Sequence, residues 1–185
     1  MYNLCDGCDG IQNTNIRLYN NDPFPFELHM IIRNVTKFGK IFNNALILLP
    51  VYKKNLDDGI FELIALLGIL RNADLQDQVI PDIDCICIHD GIEGIIEQNK
   101  KGHLSKLNIV LTCPTYPYEI IWVNLNWCGL CHYKPSEAIG KTMKVLQQWA
   151  IFDPSYIETN KLSAANFMIE LEELLTCKNF KPFKQ

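Results

Sequence analysis

After a hairpin ending near Trp127 the spacing of apolar residues changes from period 2 to period 3.6, which separates a sheet-forming part from two C-terminal helices. Within the first part, Ala45 to Tyr52 is a short, unbroken apolar run with Pro50 near its end, and it predicts a buried strand. Leu28 to Phe38, with Met30, Ile31, Ile32 and Val35, fits a strand or a short helix. Ile60, Leu63, Ile64, Leu67 and Leu70 recur at helical spacing behind Asp57 or Asp58 as caps, so a helix is expected there. Ile83 to His89 predicts a second central strand, with Cys85 and Cys87 on one face and Ile86 and Ile88 on the other. Ile92 to Gln98 predicts a short helix, ended near Gly102. Leu107 to Thr112 and Tyr118 to Trp127, joined by Pro114-Thr115-Tyr116-Pro117, predict an antiparallel hairpin. Beyond it, Ser136 opens a helix with the stripe Ile139, Met143, Leu146 and Ala150. Ser163 opens another with Phe167, Leu171, Leu174 and Leu175, and Asp153-Pro154 breaks the chain between them.

These elements predict an α/β or α+β fold: a mixed sheet of about four to five strands, helices packed on it, and two helices at the C-terminus. One domain over residues 1–185 is expected. Residues 1–27 are polar and rich in Asn, Asp, Gly and Pro, an irregular arm; residues 28–177 form the core, and 178–185 a short basic tail.

Composition narrows the function. The 185 residues carry 21 acids against 17 bases, a net charge of −4, which argues against a protein that mainly grips a phosphate backbone. The start, Met1 to Cys8, lacks the basic and apolar segments of a secretory signal, and no apolar run reaches the roughly 18 residues of a membrane span, so a cytoplasmic protein without a membrane segment is expected. Eight cysteines are the unusual feature, and in a reducing compartment close spacing points to metal or redox chemistry before disulfides.

Four of them form two C-x-x-C pairs, Cys5-Asp6-Gly7-Cys8 and Cys128-Gly129-Leu130-Cys131. Each pair lets two thiolates on one turn reach one metal, and two pairs supply the four sulfur ligands of structural zinc. Gly7, Gly10 and Gly129 give the turns the backbone freedom such knuckles need. Closing the long loop between the pairs costs roughly 4–5 kcal/mol, whereas a structural zinc contributes on the order of 10–16 kcal/mol, so binding wins. A Zn2+ site of Cys5, Cys8, Cys128 and Cys131 would fasten the arm to the turn after the last strand. Cys85, Cys87, Cys113 and Cys177 read as passive small hydrophobes.

Trp127-Cys128-Gly129-Leu130-Cys131, after a strand and before a helix, resembles the active-site turn of the thioredoxin family. The resemblance covers about a dozen residues and implies a nucleophilic Cys128 with Cys131 as its disulfide partner. Leu130 departs from it, because that family usually carries proline there, and no late strands follow. Cys128 to His132 also matches a haem c attachment motif, weak without secretion. Zinc deaminases share a C-x-x-C turn but need a His or Cys two residues before a Glu, and a proline before the first Cys; neither occurs here.

His89-Asp90-Gly91 falls where a central strand should end and is a second candidate site, although a helix-capping turn explains the same residues. No phosphate loop, nucleophile elbow or H-E-x-x-H motif occurs. The sequence therefore points to a small zinc-binding protein that works without catalysis by binding a protein partner, as an adaptor, inhibitor or assembly factor. The alternatives are a thiol-disulfide oxidoreductase using Cys128 and Cys131, and a zinc-stabilised nucleic-acid binder using Lys178, Lys181 and Lys184 interleaved with Phe180 and Phe183.

Overall fold

The computed structural model describes residues 3–4, 11–17, 27–57, 59, 61–75 and 90–146, with residues 3–4, 11–17 and 27 described by their backbone alone. They form an α+β fold: one antiparallel sheet with a few short helices. The strands are β1 (Asn3–Leu4), β2 (Ile11–Arg17), β3 (Glu27–Val35), β4 (Ile41–Lys54), β5 (Phe61–Asn72), β6 (Asn108–Thr112) and β7 (Ile120–Val123). Their order in the sheet is their order in the chain. Helix α1 (Gly91–Lys100) lies in the β5–β6 connection; α2 (Leu125–Cys131), α3 (Pro135–Ala138) and a 3-10 turn (Met143–Leu146) follow β7.

Both faces of the sheet are covered. Cross-strand partners share a face, so the registers Leu28↔Leu48, Met30↔Leu46↔Leu70 and Val110↔Val123 line one side, where Trp127 and Cys131 of α2, Ala138 of α3 and Leu146 pack. Ile47, Val51, Ala65, Leu67, Ile69, Ile109 and Leu111 line the other, under Ile95 of α1 and Leu104. A strand buried on both sides needs apolar residues at successive positions, and this explains the unbroken runs in β4 and β5.

Several expectations are corrected. Every strand pair among the described residues is antiparallel, where a mixed sheet was expected; β3 to β7 make the five strands of its main part, and β1 and β2 bring the described strands to seven. In the stretch expected as a helix from Ile60 to Leu70, residues 61–70 belong to strand β5; its leucines are good helix formers, but pairing with β4 along the strand overrides local preference. The arm is not irregular throughout, since β1 and β2 extend the sheet beside β3. The helix expected from Ser136 to Ala150 breaks after Ala138. Gly140 takes a φ of +79° and donates its N–H to the Ile120 carbonyl, while Ile120 donates to Lys141, so hydrogen bonds to the sheet edge replace a further helical turn. The last strand stops at Val123, where Asn124 begins a helix through Trp127. Of Leu28 to Phe38, which fits either element by sequence, residues 28–35 form strand β3 and 36–38 enter the β3–β4 turn. The strand expected at Ile83 to His89 and the helix expected from Ser163 lie outside the described residues. Among those described, no helix is long and apolar enough to cross a membrane.

A meander has a geometric consequence: its connections alternate between the two ends of the sheet. Leu4 and Ile11, which flank the β1–β2 connection, the β3–β4 turn at 36–40, the end of β5 at Asn72 and the end of β7 at Val123 all fall at one end. The hydrogen bonds from Asn43 N and Nδ2 to the Asp74 carboxylate close part of this same end.

Candidate functional site

The site is built around α2, which starts at that end of the sheet. Its first residue follows Asn124, whose extended backbone and short amide suit an N-cap. The Asn124 side chain is buried and saturated: Oδ1 accepts from Trp127 N at 2.9 Å and from Ile109 N at 3.0 Å, and Nδ2 donates to Leu107 O at 2.7 Å and Asn99 Oδ1 at 3.2 Å. One side chain thus joins α1, β6 and α2. From there α2 runs to the β3–β4 turn, where the Cys131 carbonyl accepts from Lys37 N at 3.0 Å. His132 ends the helix in the left-handed conformation at φ +63° and donates its N–H to the Cys128 carbonyl at 2.8 Å.

Cys128 and Cys131 are therefore three residues apart on one helix. Cys131 is fully buried beside Trp127 and Leu146, and burial pushes its thiol far above the ordinary value of 9.0, with the Cys128 charge adding in the same direction. Cys128 is half-buried; burial raises its thiol too, partly offset by a backbone hydrogen bond. Cys128 is the fourth residue of α2, its N–H is bonded to Asn124 O at 3.2 Å, and burial outweighs the lowering effect of the backbone hydrogen bond at its sulfur. This differs from the electropositive setting that makes a thiolate nucleophile.

Of the other residues singled out in the sequence, Cys5, Cys8, Cys85, Cys87, His89 and Cys177 lie outside the described residues, as does the basic tail. Asp90 precedes α1 as its N-cap without a side-chain cap bond, and it bridges to Lys53 of β4. Cys113 is half-buried and free after β6, its N–H bonded to Glu119 O. Among the described residues no three His, Cys, Asp or Glu side chains group around a common metal position.

Sequence reasoning missed the surroundings of α2. The turn Thr36–Lys40 is knitted by Thr36 N to Lys40 O, Gly39 N to Thr36 O and Lys40 N to Thr36 Oγ1. It holds Phe38, 77% exposed, with its ring centroid 5.4 Å from that of His132. Lys37 Nζ pairs with the Glu137 carboxylate at 2.5 Å, and Glu137 also accepts from Lys134 N at 2.9 Å. Those two contacts, Lys37 foremost, hold the Glu137 carboxyl below its ordinary 4.5. The nearby Asn34 is 1% exposed and neither amide atom has a hydrogen-bond partner among the described residues; Asn44 Nδ2 and Trp127 Nε1 are likewise buried and unpaired among them. Lys37-Phe38-Gly39-Lys40 between two strands was the available signal, a polar turn interrupted by one aromatic.

Comparison with known proteins adds no relative. No protein-family model matches the chain. No curated protein matches it, and no solved structure does.

Proposed function

We propose that the chain is a zinc-binding protein that acts without catalysis by binding a protein partner, with Cys5, Cys8, Cys128 and Cys131 as the ligands of one structural Zn2+ ion. What supports the shared site is the meander itself. The strand ends that flank Cys5 and Cys8, at Leu4 and Ile11, fall at the same end of the sheet as the β3–β4 turn that hydrogen-bonds Cys131. From the middle of the β1–β2 pair to the middle of the β3–β4 pair is two strand spacings, about 10 Å, a gap that six residues can span. Zinc at this position would deprotonate both α2 thiols, offsetting the burial that holds them neutral. The partner-binding reading rests on the lack of catalytic motifs and on the exposed surface beside α2.

A chain purified without added metal should carry one zinc per molecule, measured by plasma emission spectrometry. Cys5→Ser and Cys128→Ser should each weaken binding. Metal-free wild-type protein of full stability defeats the site; loss in Cys128→Ser alone means the pairs do not share an ion. The oxidoreductase alternative has its own readout, a reducible Cys128–Cys131 disulfide with activity toward a disulfide substrate. The raised Cys128 and Cys131 thiols weigh against it.

A further inference from the structure

We propose that the β3–β4 turn and the C-terminal end of α2 form a docking surface for an acidic protein segment that carries an aromatic side chain. The inference rests on the partner-binding reading and names the partner's chemistry. Its centre is Phe38, a large aromatic exposed at the tip of a turn held by three hydrogen bonds, so it is presented in one position before any partner arrives. Aromatic anchors of this kind dominate interface energetics when a partner desolvates them. His132 flanks the ring: it ends α2 in a left-handed position that glycine or asparagine usually fills, and its imidazole lies with its centroid 5.4 Å from that of Phe38. The backbone bond from Lys37 to Cys131 and the Lys37–Glu137 pair lock the two halves of the surface together.

Charge selects the partner. Lys37, Lys40 and Lys134 are exposed around Phe38, with Glu137 the carboxylate bonded among them, so the patch is positive on a chain whose net charge is −4. Such a patch attracts acidic groups and steers them in. It is too small for a nucleic-acid footprint, which commonly neutralises about 6–10 phosphates, and the rest of the chain repels a polyanion.

The test is a titration of the full chain, followed by anisotropy, with a fluorescein-labelled peptide of Glu, Ser and Phe, and in parallel with oligothymidylate of equal length. The expected result is saturable peptide binding that weakens with salt, falls about tenfold or more in Phe38→Ser and in Lys40→Glu, and persists in Lys53→Glu at the opposite end of the sheet. Absence of saturation, or wild-type affinity in Phe38→Ser, overturns the surface, as does oligothymidylate binding that depends on Phe38 in its place. Zinc content measured on the same samples keeps the two readings apart: zinc-loaded protein that ignores the peptide loses only the surface, and zinc-free protein that binds it loses only the metal site. If Phe38→Ser and wild type retain the same co-purifying proteins, the surface is wrong and partner binding stands.

Discussion

Asn124 carries more of the structure than its size suggests. Its amide caps α2 and satisfies groups on β6, on the chain before it and on α1. Replacing it with alanine removes the cap and leaves buried Ile109 N and Leu107 O unpaired, so we expect Asn124→Ala to lose on the order of 3 kcal/mol in urea unfolding. A loss under about 1 kcal/mol would mean water takes over those bonds. The residue was invisible in the sequence because a strand read through to Trp127 makes Asn124 one more alternating polar position. Glu137 gives the residue scale a pH signature. Its folded pKa is depressed, so its favourable contacts are complete above 4.5 and are lost as pH falls below that value through the folded midpoint. Carboxyl NMR should place the Glu137 midpoint under 4.5, and Lys37→Met should move it back up; an unmoved midpoint would assign the shift to the Lys134 N–H instead.

At the scale of elements, β5 shows why periodicity misled. Between Leu63 and Leu70 the one position without an apolar side chain is Gly68, and a strand with both faces buried has no polar alternation to betray it. Three- and four-residue intervals can be picked from such a run by chance. Gly68 held the better clue: it sits opposite Val110, and a Cβ there would lie 2.8 Å from Val110 Cγ1. Glycine inside a run argues for a strand closely approached by a neighbour more than for a helix. We expect Gly68→Ala to cost about 1–3 kcal/mol through overpacking, and Val110→Ala in the same chain to recover part of that loss. Additive losses in the double mutant would show that the other neighbours of the added methyl, Leu46 Cδ1 at 3.5 Å and Leu70 Cδ1 at 3.7 Å, and not the Val110 contact, set the cost. By contrast the β6–β7 hairpin and α1 were legible, because alternation and a short polar connection report local geometry directly.

For the whole molecule, the sequence offered the two C-x-x-C pairs as ligands of one ion but not the strand order on which that expectation depends. Sequence separation places Cys8 and Cys128 far apart, and only the strand order brings the ends of β1 and β2 to the end of the sheet where α2 begins. No local pattern encodes strand order; it follows from which edges remain free after each hairpin forms. The docking surface was hidden for the same reason, since Phe38 and His132 belong to segments that meet only in the fold.

The break in the helix after Ala138 has one more effect. By turning back at Gly140, the chain lays 140–142 along the outside of β7, with bonds to Ile120 in both directions and a bridge from Thr142 to Glu119. Open sheet margins recruit foreign strands, and a long apolar sheet such as this one would be prone to stack into aggregates. The strap covers the start of that margin with the molecule's own backbone, so a short segment that forgoes a helical turn takes up hydrogen-bonding positions that a foreign strand would otherwise use.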